Sequence, residues 1–88
     1  MNINIDVNTP LDELLETWAM YSQKLIYTML TEKSEIDEFN KVKLVLKTKG
    51  IKKLEIHNVY DNEYILHYIK QGGLFKKQII LNKAGTNL

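Results

Sequence analysis

The sequence predicts an α+β domain in which one long N-terminal amphipathic helix packs on a four-stranded antiparallel β-meander. Three observations predict it. Apolar residues recur at three-and-four spacing through the first third of the chain, alternation of period two dominates the second half, and turn signals there fall about eleven residues apart. The chain has 88 residues, enough for one domain rather than two, and 44% of them are hydrophobic and 26% charged, a composition that excludes disorder and low complexity. It has no cysteine, so neither disulfides nor thiolate metal sites can supplement its core.

The elements follow in order. Residues 1–8 alternate through Ile3, Ile5 and Val7, the pattern of a short strand. Thr9 and Pro10 then read as a cap and a first helical position, with Asp12 adding a carboxylate at the positive end of the helix dipole. From there a helix is expected over 9–33. Its buried stripe is Leu11, Leu14, Leu15, Trp18, Ser22, Leu25, Ile26, Met29 and Leu30, and its wet side carries Glu13, Glu16, Gln23 and Lys24. Ser34-Glu35-Ile36-Asp37 repeats the capping pattern, so 34–40 is expected to be a short helix or loop.

In 41–49 the sequence is ambiguous, because KVKLVLKTK is long enough to be helical. Val42, Leu44, Leu46 and Thr48 nevertheless alternate with lysines, which favours a strand. Turn dipeptides at Lys49-Gly50, Asp61-Asn62 and Gly72-Gly73 then divide 41–83 into strands near 41–48, 52–60, 63–71 and 74–82. The tail 84–88 is expected to fray. With Gly50 in a three-residue hairpin loop, Leu44 pairs with Leu54, Val42 with Ile56 and Lys43 with Glu55. A three-residue loop at the next turn sets Tyr64, Leu66 and Tyr68 on the face of Leu54 and Ile56, joined by Phe75, Ile79 and Leu81. That larger apolar set is expected to lie under the helix.

The opposite face then collects Val45, Val59, Ile65, Ile69 and Ile80, among His57, His67, Lys43, Lys53, Glu55, Lys76 and Gln78. Five aliphatic side chains exceed what a solvated face needs, since burying one contributes roughly 1.5–3 kcal/mol. Val45, Val59, Ile65, Ile69, Ile80, His57 and His67 are therefore the expected contact surface for a protein partner or a second copy of the chain, with the N-terminal segment as a further candidate to cover part of it.

Charge divides the chain. Residues 1–40 carry eight carboxylates against two lysines, a net −6, and residues 41–88 carry ten lysines against three carboxylates, a net +7. Mutual attraction of the two halves explains most of this. A second use is a basic stripe, Lys41, Lys43, Lys47, Lys49, Lys52 and Lys53, able to meet nucleic-acid phosphates. Every positive side chain is lysine, so the bidentate contacts that arginine makes to phosphate and guanine are missing. The abundance of Lys, Asn and Ile suggests an AT-rich genome, such as that of a low-GC bacterium, its phage or a mobile element, or an archaeal virus.

No motif for catalysis emerges. His57 and His67 fall directly opposite each other in the expected register, but no spacing supplies a third metal ligand or a nucleophile. Gln71-Gly72-Gly73-Leu74 opens no helix and so is a turn rather than a phosphate loop. No enzyme activity, cofactor or metal is expected. No apolar run approaches the ~20 residues that span a bilayer, and no signal peptide is evident, which makes the cytoplasm the expected location.

The order short strand, long helix, four-strand meander resembles the cystatin or monellin arrangement. The resemblance rests on element order alone: the first hairpin reads Thr48-Lys49-Gly50-Ile51, the Gln-x-Val-x-Gly loop of inhibitory cystatins is absent, and the resemblance implies no activity. Were 41–49 helical, two helices followed by three strands would resemble RelE/ParE-type toxins, but the basic catalytic residues of that family find no match in this chain. The expected function is that of a small non-catalytic interaction module, a regulator or inhibitor of a host protein encoded by a phage or mobile element, with nucleic-acid binding as the alternative.

Overall fold

A computed structural model describes residues 5–27 and 32–81 of the chain. Two helices, α1 (Leu11–Tyr27) and α2 (Lys33–Thr48), precede three strands, β1 (Ile51–Tyr60), β2 (Glu63–Lys70) and β3 (Gly73–Ile80). The strands form one antiparallel sheet in the order β1-β2-β3. The α+β class and the three C-terminal strands agree with expectation, whereas the single helix and the four-strand sheet do not.

The main correction falls on 41–48, expected as a strand and found as the second half of α2. Phe39, Val42, Val45 and Leu46 are buried, a three-and-four spacing, while Leu44 points outward with 63% of its surface exposed. Lysine and leucine both favour helix, and the burial of adjacent Val45 and Leu46 is incompatible with a pleated strand that buries alternate residues. The pairings of Leu44 with Leu54, Val42 with Ile56 and Lys43 with Glu55 are therefore not formed. Gly50 does hold a left-handed backbone, φ +83°, but as the residue that stops α2. Its amide donates to Lys47 O and that of Lys49 to Val45 O, both at 3.0 Å. The element order is thus two helices and three strands, not that of cystatins.

Ahead of α1 the chain turns rather than pairs. Thr9 N donates to Asp6 O at 3.1 Å, and Asp6 N donates back to Thr9 Oγ1 at 3.0 Å. Residues 1–4 of the expected strand lie outside the described residues, and residues 5–7 are not in a strand. Ile5 is fully buried in the core. The helix expected to reach 33 is described as far as Tyr27, and α2 begins at Lys33. Tyr21 against Phe39 and Lys24 paired with Glu35 show the two helices running antiparallel. Gln23, expected on the wet side of α1, is buried, and Leu25, expected in the stripe, is half exposed.

Both helices lie on one face of the sheet. Leu14, Leu15, Ala19, Val42, Val45 and Leu46 pack there with Tyr64, Leu66, Tyr68, Ile79 and Leu81, and Leu54 and Ile56 border them. β2 buries every second residue, so Tyr64, Leu66 and Tyr68 face the helices as expected. Phe75 stacks on Tyr68 at 5.5 Å at the margin of this layer and keeps 44% of its surface exposed. Lys77 emerges from the same face and reaches Asp12 Oδ1 at 3.4 Å and Glu16 Oε2 at 3.6 Å, so the acidic start of α1 sits on the basic sheet.

The register differs from expectation by two residues. His57 pairs with Ile65, and His67 with Glu55. A slip of two preserves the side-chain face, whereas a slip of one would have inverted it. The cause lies in β1 and its turn. Lys53 has φ +51° within an irregularity between Lys52 and Glu55, another irregularity follows Asn58, and the turn after Tyr60 has two residues rather than three.

Candidate interaction surface

Among the described residues, nothing covers the sheet face opposite the helices. Strand pairing arranges it in rows. Lys52, Ile69 and Leu74 form one, followed by Glu55, His67 and Lys76, then His57, Ile65 and Gln78, then Tyr60, Glu63 and Ile80. The face is set by the pleat of β2: with its even positions committed to the core, Ile65, His67 and Ile69 must project the other way. Leu74 is 84% exposed, Tyr60 74%, Val59 56% and Ile80 49%, while Ile65 and Ile69 are partly covered by their neighbours.

Of the seven expected contact residues, Ile65, Ile69, Ile80, His57 and His67 share this face, and Val59 lies in the irregularity of β1 beside it. Val45 does not belong: it is buried on α2 against the helix-facing side of the sheet. Lys43, expected among them, is also on α2, with Nζ 4.6 Å from the centre of the Phe39 ring. Leu74 and Tyr60 were missed. Leu74 shares the period-two parity of Lys76, Gln78 and Ile80 and so was legible, whereas Tyr60 has the parity of the core residues and reaches the outer face only through the irregularity after Asn58.

The two histidines are diagonal neighbours, their ring centres 5.2 Å apart and nearly perpendicular. His57 Nε2 lies 3.3 Å from Glu55 Oε1. Two imidazoles and one carboxylate on an open sheet face could shuttle a proton or contact a partner, but no group of three metal-ligating side chains in suitable geometry occurs among the described residues. A shallow concavity lined by Gly50, Lys52, Ile69, Gln71 and Gly72 closes one end of the face and holds no acid, base or nucleophile besides Lys52.

The expected lysine stripe is redistributed by the helical form of 41–48. Lys43 and Lys47, four residues apart, share one side of α2 and Lys41 lies on another, whereas Lys52 and Lys53 extend from β1. Lys49 Nζ is engaged by the carbonyl oxygen of Val7 at 2.7 Å. These six ammonium groups do not line one face.

No family model matches the sequence, and searches against curated proteins and against solved structures return no match. No described helix is long and apolar enough to cross a membrane.

Proposed function

We propose that this chain is a small non-catalytic protein-interaction module, a regulator or inhibitor that acts in the cytoplasm by occupying the surface of another protein chain through its outer sheet face. The observation that carries the reading is the set of four aliphatic side chains, Ile65, Ile69, Leu74 and Ile80, distributed over three rows on a side of the sheet that neither helix reaches. Apolar side chains grouped on one exposed face mark contact surfaces more often than they mark ordinary solvated surface. The Lys-, Asn- and Ile-rich composition fits an origin in a phage or mobile element with an AT-rich genome. Nucleic-acid binding is the competing reading, and it depends on lysines that the fold separates.

The test compares three proteins in affinity capture from the source cell and in electrophoretic shift at low and high salt. They are the wild type, Ile65→Lys with Ile69→Lys, and Lys41→Ala with Lys43→Ala and Lys47→Ala. The reading expects protein capture to be lost in the isoleucine variant and kept in the lysine variant. Salt-sensitive nucleic-acid binding that only the lysine variant loses would replace it with the alternative.

A further inference from the structure

We infer that the outer sheet face is occupied by a second copy of this chain, packed face to face about a two-fold axis parallel to β2; this deepens the reading of that face as the contact surface and rests on it. The inference comes from the placement of charge. The row Glu55, His67, Lys76 runs from negative on β1 through the centre to positive on β3. A two-fold axis along the central strand lays β1 of one copy over β3 of the other and brings every row against itself. Glu55 then meets the second copy's Lys76, and Lys76 its Glu55, so one row supplies two ion pairs.

The remaining rows fit the same operation. Ile65 and Ile69 lie on the central strand and each meets its own counterpart, making an apolar centre. Lys52 comes to rest over Leu74, where its aliphatic stem can cover that exposed side chain. Tyr60 covers Ile80 in the same way. The like-charge meeting of Glu63 with its counterpart falls at the rim beside the Asp61-Asn62 turn, where solvent screens it. An axis perpendicular to the strands is worse on each count: it sets Glu63 on Ile69, faces Lys76 with Gln78, and forms no pair between carboxylate and ammonium. Within one chain Lys76 forms no ion pair among the described residues, and Glu55 has only the 3.3 Å contact with His57, so both charges are available to a second copy. Sheets that pack this way hold their strands within about 30° of each other and about 10 Å apart, a gap that Glu and Lys side chains bridge from opposite sides.

Molar mass in solution across a concentration series tests this, with wild type, Glu55→Lys, Lys76→Glu, the double swap and Ile65→Lys. All three substituted positions, Glu55, Lys76 and Ile65, lie on the outer face, and circular dichroism verifies that each variant is folded. Wild type should approach twice 10.3 kDa. Each single charge reversal should weaken association by about tenfold or more, the double swap should recover to within about threefold of wild type, and Ile65→Lys should be monomeric. A wild type that stays monomeric at several hundred micromolar, or a dimer indifferent to all five sequences, overturns the inference. If the wild type is monomeric while Ile65→Lys still abolishes capture of another protein, the face is a contact surface for a different occupant. If capture is also indifferent to Ile65→Lys, the broader reading fails with the inference.

Discussion

The fold controls the ionisation of Tyr21. Its phenol is held between the helices against Phe39, with ring centres 5.8 Å apart, and only 6% of its surface remains exposed. Burial raises its pKa first, then the negative charge of Glu38 and the hydrogen bond its hydroxyl donates to that carboxylate, then the charge of Glu35; together they bring it from 10.0 to about 12. Glu38 Oε1 is itself buried and accepts no hydrogen bond among the described residues. The sign of the linkage follows. The folded state holds the Tyr21 proton more tightly than the unfolded chain does, so the associated stability is complete below about pH 10 and is lost as pH rises towards 12. Denaturant unfolding of the wild type should therefore show falling stability across that window, with a shallower fall in Tyr21→Phe. Glu38→Gln should lower the midpoint of Tyr21, read as the difference between absorbance titrations of proteins with and without Tyr21→Phe. An unchanged midpoint would mean that the carboxylate does not hold the phenol.

Element boundaries in this chain are set by a few left-handed residues. Gly50 at φ +83° ends α2, and Gln71 at φ +53° with Gly72 at φ +80° makes the two-residue turn between β2 and β3. A Cβ at Gly50 would meet nothing within 4 Å, so Gly50→Ala tests backbone conformation alone and should destabilise by about 1 kcal/mol. Gln71→Asn should do the opposite and stabilise by a few tenths of a kcal/mol, because asparagine tolerates the left-handed region better. Thermal unfolding of the two variants measures both. These positions also explain how far the elements could be read from sequence. The glycine at 50 was visible as a turn residue, but a helix stop and a hairpin loop use the same residue in the same left-handed conformation. Around it, KVKLVLKTK offers alternation at Val42, Leu44 and Leu46 as well as helical spacing at Val42, Val45 and Leu46, and periodicity alone cannot choose between them. Packing chose: α1 leaves a second helix-sized stripe to fill, and Phe39 and Val42 extend the helical set back to where α2 meets Tyr21. Further along, Asp61-Asn62 and the period-two runs on either side of it had no such competitor, and β1, β2 and β3 were legible.

At the scale of the molecule, a three-stranded sheet with both helices on one side has a covered face and, among the described residues, an uncovered one. That division was largely readable from parity, since the register expected between β1 and β2 was wrong by two and left Leu54, Ile56, Tyr64, Leu66 and Tyr68 on one face and His57, Ile65, His67 and Ile69 on the other. Lys52 and Tyr60, beyond the irregularities of β1, fall on the outer face against the parity of Leu54 and Ile56. The rows across the outer face were not readable, because the irregularities at Lys53 and Val59 shift the pairing in ways no alternation records. Adjacent residues on β2 now give a direct comparison of the two faces. Leu66 is fully buried beneath the helices, and Leu66→Ala should cost about 3 kcal/mol at every protein concentration, through lost transfer energy and the cavity left behind. In a domain whose whole stability is on the order of 5–10 kcal/mol, that is a large loss. Ile65 projects to the outer face, so in the monomer Ile65→Ala should cost less than about 1 kcal/mol. If two copies close over that face, however, association stabilises the folded state by mass action, and the wild-type melting temperature should climb with concentration. Ile65→Ala should weaken that climb, so its deficit against wild type should grow between about 5 and 500 micromolar while the Leu66→Ala deficit stays level or narrows. A melting temperature independent of concentration for all three proteins would leave the outer face without a second copy, and a climb that Ile65→Ala shares in full would move the contact to another surface.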